Sequence, residues 1–205
     1  MPQSAANHFL KILKSLHEIT ESNDEPQIKL QRSLQFIKEL SQSDSAACFV
    51  LIDDKKMELF AASDYYRHKE HKISIRIGEG LVGETALTRR IINIADYRAH
   101  PKFLNKPELE NDFHAFLSIP LIRWSRLLGV LVFQRFVTEE YTPDEVEIAE
   151  TLAMSLSDIL SSDEINNYKD SITEKRSQVK DDRIKGLSLS KGYGIGQAVI
   201  HRRRQ

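Results

Sequence analysis

The sequence predicts an α+β domain, and three observations predict it. Between Ile73 and Asp96 a strand, a glycine-rich turn, a short helix and a second strand follow one another with almost no slack. Two pairs of short apolar runs, within 46–62 and 115–136, read as β-hairpins. Amphipathic helical patterns precede the first hairpin and follow the second.

The first helix is read over residues 7–20, where Phe9, Leu13, Leu16 and Ile19 share a face. The segment Asn23-Asp24-Glu25-Pro26 ends it and starts another. Asp24 is the expected cap, and Pro26 suits a first turn because the N–H it lacks would have had no partner there. Leu30, Leu34, Ile37 and Leu40 then recur every three or four residues. Residues 46–52 (AACFVLI) and 57–62 form the first hairpin around the charged tip Asp53-Asp54-Lys55-Lys56, and adjacent carboxylates beside two lysines read as a solvated turn. Cys48 lies in an apolar strand with no activating neighbour in sequence, so it reads as a buried structural thiol.

In the central stretch, Ile73, Ile75 and Ile77 alternate with Ser74 and Arg76, which puts three β-branched side chains on one strand face. A half-polar strand argues against the uniformly apolar parallel sheet of dinucleotide-binding folds. Gly78, Gly80 and Gly83 follow. They suit a sharp turn or a close backbone approach, and alone they are a weak phosphate-binding motif. Leu81, Val82, Ala86 and Leu87 continue at helical spacing with Glu84 complementing the helix dipole, and Ile91, Ile92 and Ile94 make a short strand that ends at Asp96. A helix opening at a glycine turn presents unpaired N–H groups to an anionic or carbonyl-bearing ligand.

Residues 97–114 contain Pro101 and Pro107, with Phe103, Leu104, Leu109 and Phe113 set among charges. A loop of that length inside a domain is expected to cover a pocket. The second hairpin, 115–122 with 127–136, turns around Arg123-Trp124-Ser125-Arg126; Trp124 either packs locally or meets a partner. Pro120 lacks a ladder donor and marks an edge or bulge, while Gly129 admits a close neighbour. Thr142-Pro143-Asp144-Glu145 is a helix start, with Thr142 as N-cap and Glu145 closing a capping box. Ala149, Leu152, Leu156 and Ile159 share its apolar face. After Ser161-Ser162 the apolar set resumes out of phase as Ile165, Tyr168, Ile172 and Val179, a stutter that a parallel homodimer would bury.

Composition bounds the function. A 40% hydrophobic and 29% charged chain of 205 residues suits an ordinary soluble protein. No run approaches the ~18 apolar residues of a membrane helix, and no signal-peptide layout opens the sequence, so a cytoplasmic setting is expected. One cysteine excludes an internal disulfide framework and a multi-cysteine metal site. His68, His71, His100 and His114 lack a carboxylate pattern that would fix a metal, so no metal site and no catalytic residue is assigned. From Lys169 onward ten Lys or Arg face four Asp or Glu, a net of +6 against −7 for the rest. Without interleaved aromatics or a recognition helix, this basic tail does not read as nucleic-acid binding.

Taken in order, two helices, a hairpin, the strand into GEGLVGETALTRR, the I-x-I-x-D step from Ile92 to Asp96, the long loop, SIPLI, LLGVLVFQ and a helix opening YTPDE resemble a GAF domain over residues 1–160. The resemblance implies a central antiparallel sheet of about six strands with helices packed on it, and a small-molecule pocket on the face covered by the long loop. The candidate pocket residues are Ile77, Gly80, Leu81, Ile94, Asp96, Phe103, Phe113, Phe116 and Ser118, each of which also suits plain core packing.

The segment KGLSLSKGYGIGQAVI is similar to the opening strand of enzyme I proteins, the phosphoenolpyruvate-dependent phosphotransferases that phosphorylate a small histidine carrier protein. A GAF domain ahead of it resembles the nitrogen-related enzyme I family. That resemblance implies a sensory domain at 1–160, a linker helix at 161–185 that pairs as a coiled coil, and the start of an enzyme I N-terminal domain at 186–205. None of the seven histidines lies in a Gly-Gly-x-x-Ser-His type motif. Magnesium and phosphoenolpyruvate are therefore expected to belong to a catalytic part outside this chain, with no cofactor in the chain itself. Glutamine and 2-oxoglutarate are the effectors implied, with Arg76, Arg89, Arg90 and Arg123 available for carboxylates. The competing expectation is a GAF fold without a ligand that serves as a dimerisation module, its pocket filled by Phe103, Phe113 and Phe116. Cys48 alone suits neither the thiol exchange of methionine sulfoxide reduction nor bilin attachment.

Overall fold

The computed structural model describes residues 14–63, 65–104 and 112–161, together with the isolated helical positions 166, 167, 170, 174 and 178. The readings of the stutter after Ser162, of the linker helix and of the enzyme I strand fall wholly or largely outside the described residues. The sheet and its helices belong to one compact unit that ends at Asn166.

Residues 14–20 form helix α1, with Leu16 and Ile19 buried as their spacing predicts. Helix α2 (Pro26–Leu40) has proline in its first turn and buries Leu30, Leu34 and Ile37. Its cap differs from the expectation: Glu25 occupies the N-cap with no side-chain bond, because the Asp24 carboxylate is taken by Arg32 and the Ser22 hydroxyl. A charged partner on the helix competes successfully against a backbone N–H.

Six strands follow: β1 (Ser45–Asp53), β2 (Lys56–Ala62), β3 (Ser74–Arg76), β4 (Ile92–Ile94), β5 (Ala115–Arg123) and β6 (Arg126–Arg135). They form one sheet in the order β3-β2-β1-β6-β5-β4, antiparallel at every junction. The two hairpins stand side by side because β1 pairs with β6, so the hairpin beginning at Ala115 completes the sheet that the first one starts. Gly129 permits that junction, since a Cβ there would stand 2.1 Å from the Phe49 carbonyl oxygen. Pro120 falls where β4, whose pairing with β5 reaches only Ser118, no longer runs alongside, and next to a register shift at Leu121/Ile122. The β5–β6 turn holds Trp124 at φ 45° and Ser125 at φ 60°, left-handed without glycine, as a two-residue hairpin turn demands. Trp124 is 75% exposed, with the Arg123 guanidinium 5.0 Å from its ring.

Alternation along the strands divides the core. Ala47, Phe49, Val130, Val132 and Phe116 face helix α3 (Gly80–Thr88), meeting its Leu81, Val82 and Ala86 in one cluster. Cys48, Val50, Leu131, Phe133 and Leu117 take the opposite face by period two, where α2 packs on β1 and β2 and helix α4 (Pro143–Leu160) packs on β5 and β6. Cys48 is fully buried, the structural thiol expected. The capping box of α4 forms as the sequence predicts, Thr142 accepting from the Glu145 N–H while the Glu145 carboxylate accepts from the Thr142 N–H at 2.8 Å.

A charged contact ties the start of α4 to α2 and β6. Arg135, at the end of β6, donates to the Ser41 carbonyl at 2.7 Å, to the Gln42 carbonyl at 3.1 Å and to Glu145 at 2.5 Å. Its guanidinium lies 4.0 Å from the Tyr141 ring, whose hydroxyl meets the Ser43 hydroxyl at 2.9 Å. The end of α2, the end of β6 and the start of α4 are thereby joined through one cation. Among the described residues, no helix is long and apolar enough to cross a membrane.

Candidate functional site

A cavity of about 70 Å³ lies between the α3-bearing face of the sheet and the segment that follows β4. The strands supply its floor: Ala47 and Phe49 from β1, Leu59 from β2, Phe116 from β5, and Val132 and Gln134 from β6. Gly80, Leu81 and Val82, the first three residues of α3, form a wall. Tyr66 and Ile73 close one side, and Tyr97, Phe103 and Leu104 contribute the rest of the cover.

Local chemistry sets each part in place. Gly80 adopts φ +64°, which lets the chain turn from strand into helix at the cavity edge. The first-turn N–H groups of α3 have no intrahelical acceptor, and Glu79 supplies none: its carboxylate accepts instead from the Arg76 N–H at 2.8 Å. The buried Thr85 and Ser118 hydroxyls, 2.6 Å apart, bind α3 to β5. Over the cavity, Asp96 caps the short 3-10 turn Tyr97–Ala99 by accepting from the Arg98 N–H, and the Tyr97 N–H donates to the His114 carbonyl at 3.0 Å. The Tyr97 ring stands 5.4 Å from Phe103 and 5.6 Å from Phe116. Lys102 pairs with Glu84 at 2.5 Å, joining this covering segment to α3.

Of the nine candidate residues, Gly80, Leu81, Phe103 and Phe116 line the cavity and the others do not. Ile77 and Ile94 pack, half-buried, against the adjoining core. Phe113 is fully buried between Tyr65 and Phe136, ring centroids 4.9 and 4.6 Å away, and so leaves the cavity unfilled. Ser118 is the α3 anchor, and Asp96 positions Tyr97 from outside. None of the four arginines considered for carboxylates lines it: Arg123 pairs with Asp158 at 2.8 Å, and Arg89 and Arg90 border a separate groove beside α4. His71 lies 3.0 Å from the buried Glu58 carboxylate, and among the described residues no three metal-ligating side chains come together.

Sequence reading missed Tyr66, Tyr97 and Gln134. The signal for Gln134 was present: counting by two from Val130 and Val132 puts it on the α3 face. It is only 6% exposed. Apart from it and the two tyrosine hydroxyls the described lining is apolar, and it includes no charged side chain.

A family model described as the GAF domain matches residues 24–161. The chain belongs to the GAF domain family. Among solved structures, this GAF domain is similar to the GAF domain from a phosphoenolpyruvate-protein phosphotransferase (ptsP) of Coxiella burnetii, with 30% identity and a TM-score of 0.68 over 74% of this chain and 92% of that one. Among curated proteins it is 29% identical over 158 residues to a protein of Escherichia coli strain K12 described as "Phosphoenolpyruvate-dependent phosphotransferase system". A Salmonella typhimurium strain LT2 protein of the same description is 30% identical over 156 residues. These matches take in 75% and 74% of the chain but 20% of each relative, so the chain spans about a fifth of their length.

Proposed function

We propose that this GAF domain is the small-molecule-sensing, regulatory part of a cytoplasmic phosphoenolpyruvate-dependent phosphotransferase of the nitrogen-related enzyme I type. The observation that carries the reading is the cavity between the sheet and the segment after Asp96, with Gln134, 6% exposed, in its floor. A ligand regulates only by binding two states unequally. Here the floor residue Gln134 is followed in β6 by Arg135, which points to the other face and holds Glu145 of α4. A ligand that draws Gln134 toward the cavity would therefore shift the residue that anchors α4, and α4 leads into the linker at 161–185. In the full-length enzyme the output would be phosphorylation of the histidine carrier protein, with magnesium and phosphoenolpyruvate held by the catalytic part.

A second observation favours self-association. Ile122 and Met154, 36% and 63% exposed, border the groove beside α4, and Ile148 on the same helix is 37% exposed. A homodimer that covers this surface is compatible with sensing, and on its own it would make the chain a dimerisation module.

The test is calorimetric titration with glutamine and 2-oxoglutarate and with uncharged compounds of similar size, with mass measured by light scattering. Saturable heat that is lost when Val132→Phe fills the cavity supports the sensor. No heat from any compound, together with a stable dimer, would leave only the dimerisation module.

A further inference from the structure

We infer that the groove beside α4 is where two copies of this chain meet, in a two-fold contact whose axis runs along α4, so that Arg89 and Arg90 of each copy face Glu147 and Glu150 of the other. The inference rests on the self-association reading and gives it a surface, an orientation and a partner for each charge. The groove, of about 700 Å³, has unlike sides. On one side is α4, where Glu147 and Glu150, three residues apart, share a face with Met154. On the other is the segment that leaves α3 and leads into the margin strand β4, carrying Arg89 and Arg90. Between them lies the end of β5 with Ile122, beyond Ser118, where β4 no longer runs alongside. Arg89 takes the left-handed cap of α3 at φ 55°, and its guanidinium donates to the Ser125 carbonyl at 3.1 Å, which holds the cationic side in place. All four charged residues are exposed, and among the described residues none of them is in an ion pair.

Two identical copies that close such a groove face to face can do so about a two-fold axis in either of two directions, since the axis lies in the plane of contact. With the axis across the groove, α4 meets α4 and the arginines meet arginines, like charge on like. With the axis along the groove, α4 of each copy meets the arginine side of the other, and opposite charges face each other twice over. Charge therefore selects the second arrangement, in which the two α4 helices run parallel. Met154, 63% exposed on α4, is then carried toward the other copy, where Ile122 is 36% exposed. The apolar side chains supply the buried contact, while the charges fix its register and reject the crossed alternative.

The test measures self-association of the full chain by sedimentation velocity in about 0.15 M salt, where exposed charges still act across a contact. One variant carries Arg89→Glu with Arg90→Glu and a second carries Glu147→Lys with Glu150→Lys, each checked for cooperative thermal unfolding. Either variant alone sets like charge against like and is expected to self-associate at least tenfold more weakly than the parent. Their equimolar mixture is expected to regain the parent's mass, because the mixed dimer faces glutamate with lysine at one half and keeps the original pairs at the other. Arg90→Glu alone, which leaves the Arg89 bond to Ser125 intact, takes the place of the first variant if that one unfolds. Variants that self-associate as the parent does would overturn the inference and leave self-association to another face. A mixture that associates no better than its components would also overturn it. A parent chain that stays monomeric at every concentration would end both the inference and the self-association reading, with the sensory reading of the cavity untouched.

Discussion

Replacing Arg135 by methionine keeps an unbranched apolar stem in place and removes the cation at the junction of α2, β6 and α4. The guanidinium donates to the Ser41 and Gln42 carbonyls and to Glu145, and its side chain is 10% exposed against 22% for Glu145. Breaking a buried ion pair from one side costs ~3–5 kcal/mol. Water reaches Glu145, so the lower end applies, about 3 kcal/mol, or roughly 6–12 °C in melting temperature for a domain of this size. The cost should fall in acid. Burial pushes Glu145 up, but the Arg135 hydrogen bond and charge and the Thr142 N–H outweigh it and hold the carboxyl below its ordinary value of 4.5. A lowered folded pKa gives stability that is complete above the unfolded value and is lost as pH falls through the folded one. Urea unfolding of Arg135→Met at pH 7 and at about pH 3 would therefore show a large deficit at the first and a smaller one at the second. Adding Glu145→Gln, which still fits the capping box, should recover about 1–2 kcal/mol by neutralising the stranded carboxylate. A loss below ~1 kcal/mol at pH 7, or a deficit independent of pH, would refute the role given to this contact.

Three further outcomes are expected. Tyr141, pushed up to about 12 chiefly by burial and against the pull of Ser43 and Arg135, keeps its proton in the folded state where the unfolded chain loses it near 10.0. Stability should thus fall by up to ~2–3 kcal/mol as pH rises between these values, and alkaline denaturation of Tyr141→Phe should lack that limb. Gly129→Ala would place its Cβ 2.1 Å from the Phe49 oxygen and should cost about 3 kcal/mol or more by forcing β1 and β6 apart; a urea midpoint close to that of the parent would contradict this. Ser125→Gly relieves a left-handed serine at φ 60° and should raise stability by about 0.5–1 kcal/mol, read as a higher denaturation midpoint.

The elements that follow local rules were legible before any coordinates. Isoleucine alternation at 73–77, the paired apolar runs and the Thr142 capping box each declare themselves within a few residues, because strand period, turn and cap are short-range physics. Asp24 was misassigned as a cap because its partner Arg32 lies eight residues away, a competition that cap statistics do not see. The site was less legible for the same reason. Asp96 and Phe113 stand beside residues that line the cavity, and only the path of the covering segment decides that one caps a turn and the other fills the core. The pair Gln134-Arg135 reads in sequence as a polar end to an apolar strand. That its two members face opposite sides follows from alternation, but what waits on each side, a cavity or a helix start, is set by elements distant in the chain.

Both margins of the sheet are strands of three residues, β3 and β4, while the long strands β1 and β6 lie at its centre. An approaching chain would find at either margin about half of an ordinary strand to hydrogen-bond against. Sheet extension from copy to copy is thereby starved at its first step, which protects a unit with so much β structure from seeding fibrils at high concentration. Any association of copies would then fall to side-chain surfaces on helices and turns, where each substitution changes affinity by a small increment, so a grip between two copies could be tuned without disturbing the ladder that holds either one together.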